Sequence, residues 1–284
     1  MSLAGPRLAR VAKRRVAMHL YPRLFRLNFE EQARRFYERA QALGHGDLRA
    51  YSWYHTIDLG QGLITPGTYD YRKQLSVFRF PDMRRMNVLD IGSATGFFAF
   101  EFERRGAHAV STEVPSIDAH DHLPFEDTRD TLEQIAFHTQ RAGSAEDVYH
   151  HVVDGPFKIC HGILGSQVER HYSTVYELAD LGQFDLAFMG DVLLHTIRPV
   201  EALAAVAKTC KSLIISQRLP ERFGSQPAAL YVGHNLTWWI PNRACLEQLL
   251  KSVGFREVEL VGYNSGVMRP SGVYYDRAIV HARK

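Results

Sequence analysis

The sequence predicts an α/β fold: a doubly wound, mostly parallel sheet with a helical and lid element in front of it. Three observations predict it. From Asn87 onward, short apolar runs alternate with helical stretches. One run passes into a turn of small residues, Gly92-Ser93-Ala94-Thr95-Gly96, that opens a helix. The next run ends on an acid, Glu113, 23 positions after Asp90.

The elements follow in order. Seven basic residues (Arg7, Arg10, Lys13, Arg14, Arg15, Arg23 and Arg26) precede the first acid, Glu30. That segment carries +7 and the remainder −4. Val11, Val16, Met18, Leu20, Leu24, Phe25 and Leu27 lie among these charges as in an amphipathic helix. Such a helix either docks with a solvated basic face or touches anionic lipid, RNA or an anionic substrate. Peripheral membrane contact belongs to the second reading. Asn28 to Leu43 has helical charge spacing and stops at Gly44. Tyr51 to Tyr71 is aromatic and punctuated by Gly and Pro, which reads as a lid or short hairpin. Strands are expected at Asn87–Ile91, Ala109–Glu113, Phe184–Met189, Leu213–Ser216, Arg256–Val261 and Arg277–His281. Helices are expected at Phe97–Arg105, from Pro199 to Thr209, and at Asn242–Val253. The stretch from Pro115 to Gly165 breaks the alternation and reads as an insertion beside the strand ends where ligands bind. The expected organisation is a basic helical segment over 1–50 and one domain over 51–284.

Composition narrows the setting. Hydrophobic residues make up 45% and charged ones 23%, ordinary for a globular chain. Cys160, Cys210 and Cys245 match neither a disulfide framework nor a CxxC metal pattern, so a reducing cytoplasm is the expected location. No apolar run reaches membrane-spanning length, and the basic start lacks the apolar stretch of a secretory signal.

The turn after Val88-Leu89-Asp90-Ile91 is the richest feature. Its glycines let a ligand approach the backbone closely. A dinucleotide site wants GxGxxG, but here the spacing is GxAxG followed by Phe97. Asp90 would repel a pyrophosphate and suits an ammonium group instead. Glu113 is placed to accept two ribose hydroxyls.

VLDIGSATG resembles motif I of class I S-adenosylmethionine-dependent methyltransferases, with Ala94 where their middle glycine usually stands and Glu113 like their ribose-binding acid. The likeness continues through Phe184-Asp185, Met189 to His195 and Pro199. It resumes at Trp238-Trp239-Ile240-Pro241-Asn242 and Ser252-Val253-Gly254-Phe255. With the WYHTIDL…TPG segment at Trp53–Gly67, these blocks look like a branch related to tRNA wobble-uridine (mo5U34-type) methyl- and carboxymethyltransferases. That branch also holds small-molecule and sugar O-methyltransferases. The resemblance implies a Rossmann-like methyltransferase fold. It also implies S-adenosylmethionine as cofactor, held by Asp90, Gly92, Ser93, Ala94, Thr95, Gly96, Glu113, Gly190 and Asp191. Carboxymethyl-transferring relatives carry VLYHRRSP, whose Tyr and Arg pair the extra carboxylate. Leu194 and Thr196 stand there in this chain, which favours plain methyl transfer.

An alkyl hydroxyl needs a base to become a nucleophile. His195 is the first candidate, the alternative being a histidine that braces the turn through backbone hydrogen bonds. His55 and Tyr54 come next. Trp238 and Trp239 are candidates to stack on a substrate, or else core residues. His120-Asp121-His122 and His150-His151 with Asp154 are the candidates for a divalent ion such as magnesium. Neighbouring side chains in such a run diverge, however, so a metal is not favoured. The expected function is methyl transfer to a hydroxyl of a small polar acceptor, a sugar, glycan or natural product. One rival is tRNA modification, disfavoured because only the N-terminal segment is basic. The other is a non-catalytic S-adenosylmethionine-binding module.

Overall fold

The computed structural model describes residues 22–123, 128–139, 143–220, 225–234 and 236–284. The basic residues up to Arg15, with the apolar ones among them, lie outside the described residues. The strands are β1 (Asn87–Ile91), β2 (His108–Glu113), β3 (Glu169–Tyr172), β4 (Phe184–Gly190), β5 (Cys210–Gln217), β6 (Ala229–His234), β7 (Thr237–Pro241), β8 (Glu257–Val267) and β9 (Tyr274–Arg283). The α-helices are α1 (Pro22–Ala42), α2 (Phe97–Arg104), α3 (Thr128–Thr139), α4 (Ala145–Tyr149), α5 (Gly155–Leu164), α6 (Pro199–Thr209) and α7 (Arg243–Ser252).

Seven strands form one sheet in the order β3-β2-β1-β4-β5-β9-β8, and β6 pairs with β7 in a separate hairpin. Pairings from β3 to β5 are parallel, and β9 is antiparallel to both of its neighbours. This is a doubly wound, Rossmann-like sheet. Val88 to Ile91 are buried, as expected of a strand covered on both faces. One apolar cluster joins the sheet to α1, α2 and α5, and a second joins it to α6 and α7. The chain winds outward from β1 through β2 and β3, then in the other direction from β4 to β5. A crevice therefore opens between the C-terminal ends of β1 and β4, the place such sheets use for ligands.

Several elements differ from expectation, among them the β6–β7 hairpin, which the sequence did not reveal. β3 reads Glu-Arg-His-Tyr, an edge strand with no apolar alternation to betray it. The last two strands are longer than their apolar cores suggest, because β8 and β9 pair over ten positions around an irregularity at Leu260/Gly262. The lid segment closes as a short hairpin at Asp58↔Ile64 and a parallel bridge at His55↔Tyr69. Its Trp53, Ile57 and Leu63 are buried in the first cluster, and Phe36 of α1 packs edge-on to Trp53 with ring centroids 5.1 Å apart.

Candidate functional site

The crevice holds a cavity of about 280 Å³. Its walls come from the turn after β1, the ends of β2, β4 and β5, and the segment after β3. Tyr54 and His55 of the lid segment and Leu236 before β7 complete them. Asp90, Gly92, Ser93, Ala94, Glu113, Gly190, Asp191, His195, His55 and Tyr54 all line it.

The local chemistry explains this convergence. Gly92 has φ 67, and a Cβ there would come within 2.5 Å of Val192 Cγ2. Only glycine lets β1 turn against the segment after β4. Ala94 is left-handed too, at φ 47, a conformation that costs a residue with a Cβ roughly 1–2 kcal/mol. Both sides of it are held: its N–H donates to Glu113 Oε2 at 2.8 Å, and its carbonyl accepts from Arg170 Nη1 at 3.0 Å. Glu113 Oε1 also accepts the Val114 N–H at 3.1 Å. Asp90 Oδ2 accepts the Ala99 N–H in the first turn of α2 at 2.9 Å, so a strand residue caps that helix. Burial pushes the Asp90 carboxyl up to about 7, against the Ala99 hydrogen bond that favours the charge. Thr95 and Gly96 lie beneath the turn, outside the cavity wall. Thr95 Oγ1 accepts the His55 N–H at 3.1 Å and meets His55 Nδ1 at 3.1 Å, tying the lid segment to the turn.

The three base candidates are in different states. His195 exposes its ring to the cavity, and its Nδ1 bonds to the Leu236 carbonyl. A carbonyl only accepts, so Nδ1 carries the proton and Nε2 keeps a lone pair. Among the described residues nothing hydrogen-bonds to that Nε2. Desolvation lowers the His195 pKa from its usual value, partly offset by the Leu236 carbonyl and the charge of Asp191. The backbone hydrogen bond of the bracing reading is thus present at Nδ1, and Nε2 is left over. His55 is pushed down to about 3 by burial, which makes it a weak base. Tyr54 is pushed well above the usual phenol value by burial, then by Tyr69 and Asp191, so at neutral pH it holds its proton.

Asp191 has φ 52 and forms a short ion pair with Arg277 of β9. Burial works against the Arg277 charge, and Asp191 more than offsets it. Asp121 accepts from the Tyr176 hydroxyl and from the Ile197 N–H at 2.7 Å, so three loops meet over the cavity.

The two tryptophans do not line the cavity. Trp238 is buried in β7, and Trp239 donates to the Ile197 carbonyl at 3.2 Å beside Tyr231. Alternation along a strand sends the two side chains to opposite faces, neither of them the cavity. The histidine runs diverge as well. His120 and Asp121 face the cavity, whereas His122 Nδ1 lies 3.1 Å from Thr131 Oγ1. His151 bonds to the Asp147 carbonyl at 2.9 Å, and Asp154 pairs with Lys158 and Tyr172. Among the described residues no group of three or more His, Cys, Asp or Glu is placed to hold a metal ion.

Sequence reasoning named Asp121 only as a metal candidate, and it missed Leu236 in the wall and Arg170 and Arg277 behind it. Arg170 sits in the polar strand β3, and Leu236 contributes a backbone carbonyl, which no side-chain motif marks.

No family model matches the chain, and no curated protein does. Among solved structures, it is similar to the N-terminal domain of EvdMO1 with S-adenosylhomocysteine bound, at 17% identity and TM-score 0.48, over 88% of this chain and 96% of that one. It is also similar to magnesium protoporphyrin IX methyltransferase from Synechocystis PCC 6803 with bound S-adenosylmethionine, at 14% identity and TM-score 0.45, over 74% and 76% of the two chains. A third is 1,6-didemethyltoxoflavin N1-methyltransferase from Burkholderia thailandensis with S-adenosylhomocysteine, at 16% identity and TM-score 0.43, over 71% and 72%. These three structures hold S-adenosylmethionine or S-adenosylhomocysteine.

Proposed function

We propose that this chain transfers a methyl group from S-adenosylmethionine to a hydroxyl of a small, uncharged polar acceptor, a sugar, glycan or natural product. One observation carries the reading: a single cavity sets the Asp90 and Glu113 carboxylates beside an imidazole whose Nδ1 proton is held by Leu236, leaving its Nε2 lone pair unused. When bound, the cofactor would supply a sulfonium methyl, whose carbon bonds to the acceptor oxygen as the C–S bond breaks and S-adenosylhomocysteine leaves as a neutral thioether. Asp90 pairs the ammonium of the methionine end, and Glu113 takes the ribose hydroxyls. Ser93 and Ala94 shape the floor with Gly92, while Gly190 and Asp191 form the wall beneath the acceptor. Thr95 and Gly96 hold the turn from below. His195 Nε2 takes the acceptor proton, and the Leu236 carbonyl fixes the ring and favours the imidazolium that results. Trp238 and Trp239 anchor β7, which carries that carbonyl into place.

Charge supports this choice of cofactor and acceptor. Among the described residues the cavity is lined by four carboxylates (Asp90, Glu113, Asp121 and Asp191) and by no lysine or arginine. Such a wall favours a cationic cofactor over a carboxylated one. It offers nothing to pair a phosphodiester, which speaks against tRNA.

The test is a methyl-transfer assay on sugars, natural-product scaffolds and bulk tRNA, with and without magnesium. Methyl incorporation into a hydroxyl compound supports the reading, and incorporation into tRNA alone overturns the acceptor class. Failure to bind S-adenosylhomocysteine overturns the reading as a whole.

A further inference from the structure

Arg170 has no place in the cavity wall, yet it touches the turn, the ribose acid and the core at once. Its side chain is only 5% exposed. Nη1 donates to the Ala94 carbonyl at 3.0 Å and to Ser93 Oγ at 3.3 Å, while Nη2 lies 4.0 Å from Glu113 Oε2. The guanidinium sits 4.1 Å from the centre of the Phe157 ring of α5. Nε and Nη2 are buried without a hydrogen-bond partner among the described residues. A buried cation with two unpaired donors is costly on its own. Here it stands behind two carboxylates, Asp90 and Glu113, that repel one another.

We infer that Arg170 is the positioning residue of the cofactor site, pinning the strained Ala94 turn to β3 and supplying the fixed counter-charge behind the Asp90–Glu113 pair. This rests on the cofactor reading above and adds a residue to it. Ala94 keeps its left-handed backbone because its N–H and its carbonyl are held from two sides, by Glu113 and by Arg170. The same guanidinium makes it less costly to ionise Asp90 beside Glu113 before a cationic ligand arrives. The charged groups that act on Asp90 are Glu113 from β2, which raises its pKa, and Arg170 from β3, which lowers it. From the other elements around it come the uncharged Ala99 N–H of α2 and the neutral His55 and Tyr71 of the lid segment.

The experiment is calorimetric titration of the full chain with S-adenosylhomocysteine from below to above neutral pH, for the parent protein, Arg170→Met and Arg170→Lys. In the parent, affinity rises as pH climbs through the Asp90 transition near 7. Arg170→Met is expected to bind about 10- to 100-fold more weakly at neutral pH, with its affinity transition moved to higher pH. Arg170→Lys keeps the charge and loses the fork to Ala94 and Ser93, so it restores the transition and only part of the affinity. If Arg170→Met does not fold, the comparison of Arg170→Lys with the parent decides. A lysine variant with full parental affinity, or one whose transition moves upward, overturns the proposal. So does a folded methionine variant with parental affinity, or with weakened affinity but an unmoved transition, since a merely structural residue would give the latter. A parent protein that does not bind S-adenosylhomocysteine overturns the cofactor reading and this inference together.

Discussion

Asp90 and Glu113, the acids proposed to hold the ligand, also serve the fold. Asp90 caps α2 through Ala99, and Glu113 braces Ala94. Alanine at either position would confound loss of charge with loss of the brace. Asp90→Asn and Glu113→Gln keep a hydrogen-bond acceptor and remove the charge. Each is expected to weaken S-adenosylhomocysteine binding about 10- to 100-fold by calorimetry; unchanged affinity in both would refute the assignment. Ala94→Gly removes the Cβ from a left-handed residue. The relief of strain, about 1 kcal/mol, offsets the extra freedom of the unfolded chain. Its melting temperature is therefore expected to match or exceed the parent's, and a clear drop would contradict the strain argument. At His195, Asn keeps a hydrogen-bonding group and loses basicity. His195→Asn is expected to bind cofactor normally and to turn over about 10²–10⁴-fold more slowly. The parent rate should rise with pH through a transition below the ordinary histidine value, the direction in which burial moves it. That Asp90, Gly92 and Glu113 meet at one crevice was legible because their spacing follows the strand–turn–helix at the head of the sheet. Arg170 was not, because its partners in the turn and on β2 lie 57 to 77 positions away and only the folded sheet brings them together.

Elements were legible where burial imposes a period. β1, β4 and α6 follow from apolar runs and from Pro199 in a helix's first turn. β3 escaped because an edge strand of Glu, Arg, His and Tyr has no inward face to mark it. The β6–β7 hairpin escaped because two adjacent tryptophans look like a sticky patch rather than alternate faces of one strand. Aromatic and Gly/Pro punctuation correctly suggested a hairpin in the lid segment, yet not that its backbone is part of the core. Gly67 shows why it is held so closely. A Cβ there would fall 1.9 Å from the carbonyl carbon of His55. Gly67→Ala must therefore push the arm that carries Tyr54 and His55 away from the arm that carries Gly67. The expected outcome is a lower melting temperature together with weaker cofactor binding. A variant that melts like the parent would show that the segment is free to move.

Across the whole molecule, charge and fold point to the same ligand. The sheet places its switch point between β1 and β4, and the described wall there carries four carboxylates with no lysine or arginine. Burying Asp90 has a consequence for stability. Its folded pKa, about 7, lies above the unfolded value of about 3.9, so the stability it contributes is full below the unfolded value and is lost as pH rises through 7. Over that window the ligand-free parent should lose stability relative to Asp90→Asn, as followed by thermal melting. S-adenosylhomocysteine should reduce the difference by pairing the carboxylate. A gap that is independent of pH would contradict the buried-carboxyl account. The most direct measurement of the central claim is a crystal structure of the protein soaked with S-adenosylhomocysteine. The account predicts the ribose hydroxyls on Glu113, the ammonium beside Asp90 and the sulfur turned toward the space in front of His195. A ligand seated away from the turn after β1, or one whose sulfur faces away from His195, would contradict it.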